Sequence, residues 1–322
     1  MNPGKGAPAS NGGAVVVNTG GRFGAELADA LSRMLAPEAV VGADTLAAVP
    51  AGAAVLLTML DAPETLAGLL AAPVRWVHTL SAGVDGFPFA AARGKVVTCS
   101  RGASSVAMAE WVLAMMLAFE KQLPASWLAE PPEQWNTASL GGLAGRSVGI
   151  VGLGAVGTEV ARRALAFDME VLGLRRSGAP APLAGVSVAP SLTELLARSD
   201  HVVLCAPATA ATARLIGAEA LASCRRGAHL VNVARGSLVD NDALLGALDD
   251  GIVAVASLDV VDPEPLPAGH AFYRHRGIRL SPHISWCGPD SLSRTMALFI
   301  DNLRRFRAGE PLHGLVDLEA GY

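Results

Sequence analysis

Short, mainly apolar runs along this chain alternate with stretches whose apolar residues recur every three or four positions. Residues 14–18, 55–59, 76–80 and 96–99 are runs of the first kind. Between them, Leu27, Leu31 and Leu35 predict a helix over 25–35, and a second helix is predicted over 64–71. Runs without polar alternation suit strands buried on both faces, so the alternation predicts βαβ units around a parallel sheet. Residues 104–121 read as a long helix with Met108, Trp111, Val112, Met115 and Met116 on one face, suited to a core or to a dimer or cofactor wall; Pro124 ends it. Pro131-Pro132 and Gly141-Gly142 mark a loop-rich connection. The pattern then resumes, with strands predicted over 148–151, 169–174, 201–205, 230–233, 252–258 and 279–280. Helices are predicted over 192–197, with Ser191 as cap and Glu194 three residues on, over 242–248, and over 291–307, closed by Gly309.

This pattern predicts an α/β protein of two Rossmann-like parallel-sheet domains with a ligand cleft between them. Residues 14–103 with 287–322 form a flavodoxin-like substrate domain, and 104–286 form a dinucleotide-binding domain. Residues 1–13, rich in Gly, Ala, Pro, Asn and Ser, predict a flexible tail without the apolar core of a signal peptide. With 322 residues, 51% of them hydrophobic, the chain can bury two cores. A net charge of -4 and no block of like charge argue against nucleic acid and anionic membranes as partners. The longest apolar tract, 111–119, is too short to span a bilayer. Cys99, Cys205, Cys224 and Cys287 lack CxxC or zinc spacing, which predicts reduced thiols, no metal site and a cytoplasmic protein.

The most telling stretch is the apolar run at 148–151 followed by Gly152-Leu-Gly154-Ala155-Val156-Gly157 and a helical pattern. Strand, glycine turn and helix in that order form a dinucleotide-binding arrangement. Gly152 permits the turn, Gly154 lets a pyrophosphate approach the backbone, and Gly157 lets the helix pack close. The helix start offers N–H groups to phosphate around Ala155 and Val156. Three polar clusters follow at strand ends. Arg235 is followed by Gly236, and its guanidinium can grip a carboxylate with two bonds. Glu264 stands between Pro263 and Pro265, which stiffen its segment. His283 sits in Ser281-Pro-His-Ile-Ser285. The other six histidines, His78, His201, His229, His270, His275 and His313, lack comparable neighbours and read as structural or solvated. At the end of the second strand of this unit, where NAD-binding proteins commonly carry an acid, stand Arg175, Arg176 and Ser177. Two guanidinium groups there favour the 2′-phosphate of NADP(H), with NAD(H) still possible.

Gly152–Gly157, Arg235-Gly236, Asp259 followed by Glu264-Pro-Leu-Pro267, and Pro282-His283, in that order, resemble the D-isomer-specific 2-hydroxyacid dehydrogenase family, and the likeness extends from Ser81-Ala-Gly-Val-Asp85 to the closing helix. The resemblance implies reduction of a small 2-ketoacid to a D-2-hydroxyacid, most like the glyoxylate/hydroxypyruvate reductases. His283 would be the acid and base, Glu264 would hold it, and Arg235 would bind and polarise the ketoacid. Backbone groups at Ala82 and Gly83 would hold the substrate carboxylate. Asp259 would meet the nicotinamide carboxamide. Ala206, Pro207 and Thr212 would lie beside the adenosine and ribose, with Val233 and Ala234 also bordering the cofactor. A homodimer is implied, with Trp135 reaching the partner. The chain departs from the family pattern at Cys99-Ser-Arg-Gly102, where the family often reads Asn-Thr-Pro-Gly, and at Ser285-Trp286, where it usually reads Ala-Gly. A nucleotide-sensing corepressor or scaffold of the same fold, or a formate or phosphite dehydrogenase, are the alternative readings.

Overall fold

The computed structural model describes residues 13–36, 38–60, 62–136, 139–176 and 179–322. The tail expected over 1–13 therefore lies, apart from Gly13, outside the described residues, as does Ser177. The chain divides into two compact units: Met1–Ala103 with Pro289–Tyr322, and Ser104–Gly288. The sequence reading had set the second boundary after Trp286.

The first unit opens with β1 (Ala14–Asn18), α1 (Gly24–Met34), β2 (Val40–Ala43), β3 (Ala53–Thr58), α2 (Pro63–Leu69), β4 (Trp76–Thr79) and β5 (Val96–Cys99). These strands form a parallel five-stranded sheet in the order β2-β1-β3-β4-β5. The apolar runs account for it: β3 is buried along its whole length, as a central strand with helices on both faces must be. β2 was not anticipated from the sequence. It is a four-residue edge strand broken by Gly42 and burying only Ala43, so it lacks the long buried run of a central strand.

The second unit begins with α3 (Ser105–Glu120) and continues through β6 (Ser147–Val151), α4 (Ala155–Ala166), β7 (Glu170–Leu174), β8 (Val186–Val188), α5 (Leu192–Arg198) and β9 (His201–Leu204). It closes with α6 (Ala218–Ala222), β10 (Ala228–Asn232), α7 (Asn241–Asp249), β11 (Val253–Leu258) and β12 (Ile278–Leu280). Its parallel sheet runs β12-β11-β10-β9-β6-β7-β8. Strand order reverses between β6 and β9, the place where such sheets open a crevice at their carboxyl edge. The unanticipated elements are again short: three-residue edge strand β8 and five-residue α6. Ser191 caps α5, its hydroxyl accepting from Glu194 N–H at 3.1 Å. Within α3, Val112 and Met116 are buried, whereas Met108, Trp111 and Met115 are half-buried.

The chain then returns to the first unit as α8 (Ser291–Ala308), which packs Met296, Phe299 and Leu303 against Trp76, Val15 and Val17. Gly309 ends it in the left-handed conformation, φ 70°.

Candidate active site

The turn after β6 has the form its glycines require. Gly152 has φ 102°, and a Cβ there would stand 2.9 Å from the backbone N of Ala206. Its absence lets the β9 loop close over the turn. Gly157 is buried where a Cβ would run into the carbonyl oxygen of Gly152. Gly154 is the exposed N-cap of α4, with open space beside its Cα, and exposed Ala155 and half-buried Val156 make the first helical turn. The leading N–H groups of a twelve-residue helix thus face an open approach, which fits the pyrophosphate of a dinucleotide.

Because all seven strands are parallel, the residues following each strand lie at one edge of the sheet. The loops after β6, β7, β9, β10, β11 and β12 carry, in turn, Gly152, Arg175, Ala206, Arg235, Asp259 and His283. Arg175 is half-buried and donates through Nη1 to the carbonyl of Pro180; Arg176 is exposed. In the β9 loop, the Thr212 hydroxyl donates to Pro207 O at 2.7 Å and accepts from Thr209 N–H at 2.8 Å, so its single proton serves its own loop. Val233 and Ala234 are buried after β10. Asn232 shapes this turn: its Oδ1 accepts from Ala234 N–H at 3.0 Å and its Nδ2 donates to Arg235 O at 2.9 Å. Half-buried Arg235 donates through Nη1 to Ala234 O at 2.7 Å. Gly236 is what brings this loop against the next, since a Cβ would collide with the backbone of Val261 and Asp262.

His283 and Glu264 meet directly. Nδ1 of His283 lies 3.0 Å from Glu264 Oε2, with both side chains about two-fifths exposed. Among the described residues, Nε2 of His283 has no hydrogen-bond partner. The histidine stands at φ 55°, a left-handed backbone that a non-glycine residue adopts only when its surroundings impose it. Asp259 is the chief restraint. Its carbonyl accepts from His283 N–H at 2.9 Å. Its carboxylate, 1% exposed, accepts from Ser281 Oγ at 2.5 Å, Ile284 N at 2.9 Å and Ser285 N at 2.8 Å. The resemblance implies that Asp259 meets the nicotinamide carboxamide; in the structure its carboxylate also accepts from three donors of the His283 loop. Trp286 adds a second restraint, donating from Nε1 to His283 O at 2.9 Å. Neither role has a motif signature, because each depends on where a side chain turns after the strand ends.

Ala82 and Gly83 belong to the other unit. They follow β4, Ala82 exposed and Gly83 half-buried, on a loop anchored by buried Val84.

A second polar cluster, which sequence reading missed, runs from the amino edge of the seven-stranded sheet to Ser257 near the carboxyl end of β11. Ser257 Oγ lies 2.9 Å from His229 Nε2, His229 Nδ1 lies 3.2 Å from His201 Nδ1, and His201 Nε2 lies 3.1 Å from Glu120 Oε1. One direction satisfies every atom with both rings neutral: serine O–H donates to His229, His229 to His201, and His201 to the carboxylate. Burial holds His201 down at about 4. Burial also lowers His229, helped by neighbouring His201 and Arg279, and raises Glu120, against the pull of Arg146. A cavity of about 320 Å³ opens here beside Glu120, Arg146, Asp200 and Arg225, away from His283. Arg146 and Arg225 are paired with these acids, Arg225 with Asp200 at 2.9 Å, while Arg226 donates to the Asp250 carbonyl, and the cavity lacks the strand-end loops of the carboxyl edge. Among the described residues no cluster of His, Cys, Asp and Glu could hold a metal ion, and no helix is long and apolar enough to cross a membrane.

Comparison with known proteins agrees with this fold. The model of the D-isomer specific 2-hydroxyacid dehydrogenase NAD-binding domain matches residues 113–285. A glyoxylate reductase of Korarchaeum cryptofilum is 34% identical over 276 residues, 82% of each chain. A D-isomer specific 2-hydroxyacid dehydrogenase from Xanthobacter autotrophicus, solved with NADPH and MES, superposes with a TM-score of 0.83 at 30% identity, covering 97% of this chain and 100% of that one. The NADPH-dependent glyoxylate/hydroxypyruvate reductase of Sinorhizobium meliloti, solved with NADP and sulfate, gives 0.79 at 26% identity, covering 97% and 100%.

Proposed function

Because the chain belongs to the D-isomer specific 2-hydroxyacid dehydrogenase family, we propose that it reduces a small 2-ketoacid to the D-2-hydroxyacid with NADP(H), as a cytoplasmic homodimer. The observation that carries this reading is the His283–Glu264 pair, with Nε2 of the imidazole left to the substrate, on the same sheet edge as the glycine turn. A bound nicotinamide dinucleotide supplies the hydride. His283 gives a proton from Nε2 to the carbonyl oxygen as it becomes a hydroxyl, and takes one back in the oxidative direction. Glu264 holds the ring through Nδ1, and Asp259 and Trp286 hold the backbone beneath it. Arg235 binds the carboxylate and polarises the ketone, and the Ala82 and Gly83 N–H groups serve as donors to a substrate carboxylate.

The preference for NADP(H) rests on Arg175 and Arg176, which follow β7. A carboxylate there would repel the 2′-phosphate, whereas a guanidinium matches its oxygens. The NADP-bound relatives support this choice. The dimer rests on α3, where Val106, Met108, Trp111 and Met115 are half-buried, and on Trp127, Leu128 and Trp135, which are exposed. Four unpaired cysteines suit a reducing compartment.

Purified protein with NADPH and a panel of 2-ketoacids, glyoxylate and hydroxypyruvate included, is expected to show loss of NADPH absorbance. Dinucleotide binding without turnover of any ketoacid, or turnover only of formate or phosphite, would refute the reading. The ratio of kcat/KM for NADPH over NADH should exceed about tenfold and fall by a similar factor in Arg175→Asp or Arg176→Ala. A wild type that prefers NADH overturns the cofactor choice. A monomer by sedimentation equilibrium at micromolar concentration overturns the dimer.

A further inference from the structure

The loop carrying Ala82 and Gly83 is tied to a run of buried polar side chains. His78 on β4 and Thr98 on β5 are register partners, and Trp76 lies two residues before His78 on the same face. Trp76, His78 and Thr98 are 0% exposed and Ser100 is 1% exposed. Trp76 Nε1–H donates to Thr98 Oγ1 at 2.8 Å. Thr98 Oγ1 lies 2.7 Å from His78 Nδ1, and His78 Nε2 lies 3.1 Å from Ser100 Oγ. Ser100 Oγ in turn lies 3.4 Å from the carbonyl of Thr79. One direction spends every donor: indole to threonine, threonine O–H to Nδ1, Nε2–H to serine, serine O–H to the Thr79 carbonyl. His78 is then the neutral Nε2–H tautomer, and burial, which holds it at about 3, keeps it so. Phe299 covers the ring at 5.4 Å between centroids.

Ser100 is where this chain reaches the loops. Its N–H is shared between the carbonyls of Thr79 and Ser81, both at 3.1 Å, and the Ser81 N–H donates to Thr79 Oγ1 at 3.3 Å. Ser81 leads directly into Ala82 and Gly83, and Ser100 into Arg101 and Gly102. We propose that His78 is a positioning residue for substrate recognition: it sets Ser100, and through Ser100 the Ser81–Gly83 backbone that receives the ketoacid's carboxylate. The proposal rests on the role given above to Ala82 and Gly83. An apolar ring in place of His78 would fill the same space but leave the Thr98 and Ser100 hydroxyls without their buried partner, and each would turn to a new one. Hydrogen bonds from two backbone N–H groups to one carboxylate depend steeply on angle, so the substrate would register that change before the sheet does.

The test compares full-length wild type, His78→Phe, His78→Gln and Ser100→Ala. Amide hydrogen exchange of residues 80–86 reads the loop without catalysis and should quicken in His78→Phe and Ser100→Ala while the other strands keep their protection. In both variants KM for the ketoacid should rise about tenfold, with kcat and the Kd for NADPH within about twofold of wild type. His78→Gln, whose amide accepts from Thr98 and donates to Ser100, should restore KM to within about threefold. Should His78→Phe fail to fold, Ser100→Ala carries the same expectation. Unaltered loop exchange overturns the proposal, as does unaltered KM, or a joint loss of kcat and cofactor binding that Gln does not rescue. Absence of any ketoacid turnover by wild type would overturn the proposed function instead, and the exchange result would still decide the loop.

Discussion

Opposite edges of the seven-stranded sheet each hold a histidine against a glutamate, at nearly the same distance and with opposite character. At the carboxyl edge His283 meets Glu264 at 3.0 Å, with side chains 39% and 40% exposed. At the amino edge His201 meets Glu120 at 3.1 Å, with side chains 0% and 4% exposed. The contact is the same and the solvent is not. His201 has both ring nitrogens engaged inside the protein, one by Glu120 and one by His229, so it has no proton to exchange with a ligand. His283 has one nitrogen held and the other turned to the open edge. A short His–carboxylate distance therefore does not identify an acid–base catalyst; the free nitrogen and its access to a ligand do.

The largest effect expected from this contrast is kinetic. His283→Ala should lower kcat by about 10²- to 10⁴-fold with cofactor affinity little changed, whereas His201→Gln should keep kcat within about threefold of wild type. Steady-state kinetics on both would break the comparison if His201→Gln proved the slower enzyme.

Stability should show the reverse. Glu120→Ala leaves His201 with a buried N–H and no acceptor, at a cost of about 1–3 kcal/mol, while Glu264→Ala at its exposed site should cost less than about 1 kcal/mol. Urea denaturation at neutral pH measures both, and equal losses would remove the distinction.

Acid should sharpen it further. His201 and His229 have pKa values lowered in the folded protein, so below about pH 6.5 the unfolded chain binds their protons and the folded one does not. Stability then falls with falling pH, by on the order of 1.4 kcal/mol per pH unit for each histidine, until His201 titrates in the fold at about 4. Glu120 is shifted up and works the other way, taking its proton more readily in the fold, but it offsets one proton against three, because buried His78 is likewise held down, at about 3. Asp200 is raised by burial and lowered further by Ser147 and by Arg225 and Arg146, so its contribution is lost only below the ordinary carboxylate range. Denaturation between pH 7 and 4.5 should show the decline, flattened in His201→Gln; a level profile would contradict the neutral pair.

The smallest effect belongs to Trp286. Trp286→Phe keeps a ring and loses the bond to the His283 carbonyl, which should lower kcat by about three- to tenfold without altering Tm measurably. An unchanged kcat would leave Asp259 as the sole restraint of consequence on the His283 backbone.

Much of the carboxyl edge was legible along the chain. Gly152, Gly154 and Gly157 sit where a strand-turn-helix needs them, and Arg235, Glu264 and His283 each follow an apolar run that becomes a strand of the same parallel sheet. The elements missed, β2, β8 and α6, have three to five residues and bury only Ala43, no residue and Leu221 respectively, so neither a buried apolar run nor a helical period marks them. Asp259 was legible as a strand-end acid and not as the support of the His283 loop, because its three donors lie 22 to 26 residues on and reach it only when the β12 loop folds back.

What the sequence determined by itself is whatever adjacent residues decide among themselves: the helix face by three- and four-residue spacing, the buried strand by an unbroken apolar run, the phosphate turn by three glycines, the left-handed stop at Gly309. What only the tertiary structure decided is which polar side chains share a buried space. Glu120 and His201 are 81 residues apart, His201 and His229 are 28 apart, and His78 finds Thr98 across 20. The two strand pairings come from strand order and register, and Glu120 reaches His201 from the end of α3. Once water is excluded, burial then selects the neutral ring and the direction of each proton, which no local pattern encodes.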